Sequence, residues 1–146
     1  MTFSRRQLLS TLPALGLGAL LSSHLQANTA HARIVVVGGG FGGATAARSL
    51  VRLLPKASVT LVEAARQYVA CPFSNLVLAG QREMSAQTFQ YAALAAEGVQ
   101  VVHARATDVD VQGRSVSLDS GARLSYDRLV LAPGIDLKWD ALEGYN

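Results

Sequence analysis

Two apolar runs dominate the first quarter of the chain, residues 8–21 and 34–37, separated by a polar and small-residue break. The second, Ile34-Val35-Val36-Val37, has no polar position, the pattern of a parallel strand buried on both faces. A glycine-rich turn follows, and then an alanine-rich stretch whose spacing predicts a helix over 42–54, stopped at Pro55. Residues 58–63 predict a second strand, ending in Glu63. Residues 67–80 lack a clean period and contain Pro72, which predicts a loop with short helical turns. Residues 86–97 predict a helix ended by Gly98. Beyond it the period drops to two. Short strands are expected at 99–104, 107–111, 115–118 and 123–126, with turns at Gln112-Gly113 and Asp119-Ser120-Gly121. Residues 128–131 return to the main sheet before Ala132-Pro133-Gly134. The order predicts a doubly wound α/β unit carrying an antiparallel meander, with no internal repeat and no low-complexity tract.

The chemistry begins at the first turn. Gly38, Gly40 and Gly43 form G-x-G-x-x-G between a buried strand and a helix, the context in which backbone closes on a pyrophosphate. Gly38 permits the tight turn, Gly40 keeps a Cβ away from the phosphates, and Gly43 lets helix and strand approach. Free amides and the positive end of the helix dipole would meet the anion. Glu63 follows Gly38 by 25 residues, where a carboxylate accepts ribose hydroxyls and repels a 2′-phosphate. A glycine turn beside a solvated surface Glu63 is the bland alternative; the strand–turn–helix context weighs against it. The meander is expected to lie over the nucleotide.

Composition changes this picture at the N-terminus. Arg5-Arg6 within Ser4-Arg5-Arg6-Gln7-Leu8-Leu9, the apolar run and the small residues Ala27, Ala30 and Ala32 have the order of a twin-arginine export signal. The run is short for a membrane span and is broken by Pro13, Gly16 and Gly18. Residues 1–32 are therefore expected to be removed, leaving a periplasmic protein with no stable membrane insertion. Net charge falls from +3 to about +1 without Arg5 and Arg6. No basic run remains, which argues against nucleic acid. Cys71 is the only cysteine of the 146 residues and cannot make an internal disulfide. From the residues alone, a buried inert cysteine is the ordinary explanation. His103 ends an apolar strand and reads as half-exposed rather than catalytic. No Cys/His/Asp cluster has metal-ligand spacing, so no metal is expected. Ser74 does not sit in a nucleophile elbow.

The stretches 34–47 and 59–63, Tyr68-Val69-Ala70-Cys71-Pro72-Phe73-Ser74-Asn75-Leu76-Val77-Leu78-Ala79-Gly80, 99–103, 126–135 and Leu142-Glu143-Gly144-Tyr145 together resemble the flavoprotein subunit of flavocytochrome c sulfide dehydrogenase. The cysteine-containing stretch is the most specific part. The resemblance implies an α/β, Rossmann-like FAD-binding domain, three-layered, with a parallel sheet and an antiparallel β-meander. It is of the two-dinucleotide-binding-domain flavoprotein type, truncated: residues 33–135 form the FAD-binding part and 136–146 begin the connection to an NAD(P)-binding-like domain. It implies FAD bound by Gly38, Gly40, Phe41, Gly42, Gly43, Glu63, Ala106, Ala132 and Gly134. It also assigns Cys71 a thioether to the 8α-methyl of FAD, a link for which the thiolate is the competent nucleophile. Sulfide is the implied substrate and a c-type cytochrome subunit the implied partner.

The family's redox cysteine pair would lie beyond Asn146, so no catalytic residue is expected within the chain, and the chain alone is expected to be inactive. Two alternatives stay open: a sulfide:quinone or NAD(P)H-type oxidoreductase of the same superfamily, and a truncated, non-catalytic nucleotide-binding module.

Overall fold

The computed structural model describes residues 31–136 and 138–144. The expected signal lies outside them, apart from His31 and Ala32. In chain order the elements are β1 Arg33–Val37, helix α1 Phe41–Leu53, β2 Ser58–Val62, β3 Gln67–Val69, helix α2 Ser74–Leu78, β4 Thr88–Gln90, helix α3 Ala92–Ala96, β5 Gln100–Val102, β6 Ala106–Asp110, β7 Ser115–Leu118, β8 Arg123–Ser125 and β9 Arg128–Leu131. Single 3₁₀ turns occupy Met84–Gln87 and Trp139–Ala141.

A four-stranded sheet in the order β5-β2-β1-β9 forms the middle layer. All its pairings are parallel, with Val36 opposite both Leu61 and Val130. Alternate residues of its central strands feed two cores. Ile34, Val36, Val59 and Leu61 face Ala47 of α1 and Leu94 of α3, while Val35 and Val62 face Val116, Leu118 and Tyr126 of the meander region. This explains the unbroken Val/Ile run of β1: both of its faces are covered. The meander β6-β7-β8 is antiparallel and forms the third layer. The three-layer α/β architecture expected from the sequence is the one observed.

Helix α1 packs through Ala44, Ala47, Leu50 and Val51, positions one and two turns apart on one face. On its outer face Arg48 and Arg52 meet Glu97, at 3.0 and 2.8 Å, which ties α1 to the end of α3.

The structure corrects two expectations. Residues 86–97 are not one helix: Thr88–Gln90 pairs antiparallel with β3, and only Ala92–Ala96 is α-helical before Gly98. Residues 67–80, expected to lack strand, contribute the other half of that ribbon. Each half is a three-residue strand whose partner lies some twenty residues away, too short for periodicity to register and formed by tertiary pairing over local propensity. No helix of the described residues is long and apolar enough to cross a membrane.

Candidate functional site

Four segments leave the carboxyl edge of the parallel sheet side by side. The Gly38 amide donates to Val62 O at 2.9 Å, Glu63 to Val102 O at 3.0 Å, and Ala132 to Val37 O at 2.8 Å. Gly38, Glu63, His103 and Ala132 thus form one row at the end where open α/β sheets hold their ligands. Ala106 opens β6 nearby and packs against the second core.

Each glycine of the turn has its own reason. Gly38 has φ +98°, and a Cβ there would run into the carbonyl of Ala132. A Cβ on Gly43 would collide with the carbonyl of Gly38, so close helix–strand packing does require it. Gly40 differs. With φ −68° it is the N-cap of α1, and a Cβ there would meet only the Tyr68 ring, at 3.6 Å. Nothing among the described residues demands glycine at position 40, whereas a ligand closing on the helix start would.

The first amide bound within α1 is that of Ala44, which donates to Gly40 O at 2.9 Å. The amides of Gly40, Phe41, Gly42 and Gly43 have no acceptor among the described residues. The helix has no side-chain N-cap and no acid in its first turn. This is the arrangement of an anion site with its own anion withheld.

Glu63 is held from both sides. Its Oε2 accepts the Gly39 N–H at 2.6 Å and its Oε1 accepts the Ala65 N–H at 2.8 Å. A carboxylate offers about four acceptor positions, so two remain for hydroxyls. The Glu63 carbonyl lies 3.3 Å from His103 Nδ1. Tyr91, which sequence reasoning passed over, donates its O–H to the Gly39 carbonyl at 3.1 Å. It is buried, and that burial pushes its phenol up to about 12, with the charge of Glu63 and then Tyr68 adding to the effect. The only signal for it was a tyrosine in an apolar run whose hydroxyl would need a partner once buried.

Cys71 is exposed and is not part of this row. It begins a turn closed by Ser74 N–H to Cys71 O at 3.0 Å. With Pro72 second and Phe73 third at φ 68°, ψ 12°, the turn has type II geometry. Left-handed backbone at a bulky residue is uncommon. Beside it, Arg82 lies over the Phe73 ring, 5.5 Å from its centroid. The Cys71 turn is connected to the glycine turn through Tyr68, whose ring meets that of Phe41 edge-on at 5.2 Å. Cys71 is three residues past Tyr68, at most about 10 Å of extended chain. A cleft of about 350 Å³ runs between Gly40, Phe41, Arg48, Tyr68, Phe89 and Tyr91. Gly134 adopts a left-handed conformation, at φ +77°, two residues after Ala132. Among the described residues no group of three His, Cys, Asp or Glu side chains could hold a metal.

Free amides at a helix start, a glycine at position 40 with room for a Cβ within the protein, and an acid at the next strand end fit a dinucleotide diphosphate and its ribose. The family model of the pyridine nucleotide-disulphide oxidoreductases matches residues 32–144. The chain belongs to that family. Within the pyridine nucleotide-disulphide oxidoreductases, it is 62% identical over 45 residues to the flavoprotein chain of the sulfide dehydrogenase (flavocytochrome c) of Chlorobaculum thiosulfatiphilum, covering 31% of this chain and 94% of that one. It is 31% identical over 114 residues to the mitochondrial sulfide:quinone oxidoreductase of Mus musculus, covering 78% of this chain. The chain spans about a quarter of the mouse enzyme's length, 25%. Among solved structures, the sulfide:quinone oxidoreductase of Aquifex aeolicus superposes with a TM-score of 0.68 at 28% identity, over 73% of this chain and 25% of that one. The resemblance read from the sequence is borne out.

Proposed function

We propose that this chain is the FAD-holding part of a periplasmic sulfide dehydrogenase of the flavocytochrome c type, which takes electrons from sulfide and passes them to a c-type cytochrome. One observation carries the nucleotide part of this reading: the amides of Gly40, Phe41, Gly42 and Gly43, without an acceptor among the described residues, stand beside the Glu63 carboxylate at the carboxyl edge of a parallel sheet. The likeness to the Chlorobaculum flavoprotein chain supports the sulfide and cytochrome part.

When bound, flavin supplies two-electron uptake and one-electron release. The chain's own residues supply placement. The amides of the glycine turn and the α1 dipole take the diphosphate, Glu63 accepts the ribose hydroxyls, and Ala106, Ala132 and Gly134 line the same edge. Cys71, exposed and joined to the glycine turn through Tyr68 and Phe41, is the anchor for the ring end through a thioether. Residues 33–135 then form the FAD-binding unit, 136–146 lead to an NAD(P)-binding-like domain, and residues 1–32 direct twin-arginine export.

Denaturing electrophoresis of the protein isolated with its natural partners tests the reading: flavin fluorescence should travel with the polypeptide, and sulfide should reduce its cytochrome. The likeness to the Aquifex and mouse enzymes favours a second reading, sulfide oxidation with a quinone as acceptor. Flavin lost on denaturation, together with quinone-dependent sulfide oxidation, would select it. A nucleotide-binding module without turnover would bind FAD and support neither reaction.

A further inference from the structure

The glycine turn is controlled by a side chain outside it. Gly39 is gripped at both ends: its N–H by Glu63 Oε2 at 2.6 Å, its C=O by the Tyr91 hydroxyl at 3.1 Å. The chain has no cis peptide bond among its described residues, so the peptide joining Gly39 to Gly40 is trans and planar. In such a unit the C=O and N–H point in opposite directions. Tyr91 holds the carbonyl inward, so the Gly40 N–H is turned outward, and it has no acceptor among the described residues. A Cβ on Gly39 would press into the Tyr91 ring and hydroxyl, at 2.5–2.7 Å, so the seating of Tyr91 also explains a third glycine between Gly38 and Gly40, at a position the motif leaves open.

We propose that Tyr91 is a positioning residue for nucleotide binding: by fixing the Gly39 carbonyl, it aims the Gly40 amide at the diphosphate. The inference rests on the dinucleotide reading above and adds to it a residue that touches no ligand. Tyr91 is suited to the task. Its ring is buried at 6% exposure, packed in the same core as Leu94 and Val99, so its hydroxyl has little freedom to turn elsewhere. Because burial disfavours its anion, it stays a donor at every physiological pH. A residue at the start of α3, anchored in the core, thereby sets the direction of a loop amide, an alignment the glycine turn could not hold unaided because glycine is conformationally permissive.

The test compares two probes, ADP and adenosine, in the full chain carrying Cys71→Ser and freed of flavin, so that no covalently held FAD fills the site. Tyr91→Phe should weaken ADP binding roughly tenfold, the worth of one hydrogen bond to a charged group, and leave adenosine binding within about twofold. Equal losses for both probes, or none for either, would overturn the proposal. Leu94→Ala serves as the control, since it loosens the same core without touching the hydroxyl; it should preserve the ratio of the two affinities. If Leu94→Ala narrows that ratio as much as Tyr91→Phe does, the effect is one of packing and the proposal fails. Should Tyr91→Phe not fold, the flavin-free Cys71→Ser chain with Tyr91 intact gives an independent answer: the Gly40 amide resonance should shift with ADP and stay in place with adenosine, and an unmoved Gly40 rejects the assignment. A flavin-free Cys71→Ser chain with Tyr91 intact that binds neither probe would instead sink the dinucleotide reading itself.

Discussion

Two glycines of one motif make opposite demands, and single methyl groups can separate them. At Gly43 the space is taken by the Gly38 carbonyl. Gly43→Ala should therefore destabilise the fold by about 1–3 kcal/mol, read by thermal or urea unfolding. At Gly40 the backbone is ordinary and the nearest atom is 3.6 Å away. In a Cys71→Ser background, Gly40→Ala should leave unfolding nearly unchanged while abolishing measurable FAD binding. If Gly40→Ala binds FAD as well as wild type, the diphosphate does not lie there. Glu63→Gln keeps the shape but loses the charge and one acceptor oxygen. In a Cys71→Ser background, where no covalent link masks affinity, it should weaken FAD binding by about 1.5–3 kcal/mol. The Tyr91 phenol gives a pH signature. Its folded value near 12 exceeds that of an unfolded tyrosine, about 10. Its contribution to stability is complete below about pH 10 and lost as pH rises toward about 12. Unfolding midpoints across that range should fall more steeply for wild type than for Tyr91→Phe.

At the scale of elements, β1 is the organising strand, flanked by β2 on one side and β9 on the other. Its start is tied to β9 by Asp127, which accepts the Arg33 backbone N–H at 2.8 Å and its guanidinium at 3.3 Å. Those bonds hold the Asp127 carboxyl below its ordinary value near 3.8, the side chain of Arg33 contributing most. The stabilisation is present above that value and lost as pH falls through the depressed one, so Asp127→Asn should flatten the acid limb of the stability profile. These elements were readable in advance for a physical reason. A strand covered on both faces must be apolar throughout, as Ile34–Val37 is, and meander strands must alternate between turns, as Ser115–Leu118 and its neighbours do. The β3–β4 ribbon was not readable. Tyr91 and Leu94, three positions apart, fit a helical stripe, and the pairing of Thr88 with Val69 exists only in three dimensions. The site shows the same division. Gly38, Gly40, Gly43 and Glu63 announce themselves by spacing, whereas Tyr91 reaches Gly39 across 52 positions and leaves no local trace.

For the molecule as a whole, the glycine turn and the Cys71 turn are bridged by the Phe41–Tyr68 contact. Cys71→Ser should release flavin on denaturation and leave circular dichroism unchanged, because an exposed cysteine outside both cores contributes little packing. Flavin that still migrates with the Cys71→Ser polypeptide would place the link at another residue. The seating of the Ala132 carbonyl against Gly38 has a consequence for biogenesis. The opening turn is synthesised early, yet its back wall arrives only when the last strand slots in beside the first. A nascent chain stalled on the ribosome before Arg128 has emerged should hold no cofactor, and capture should begin once Pro133 is free of the tunnel.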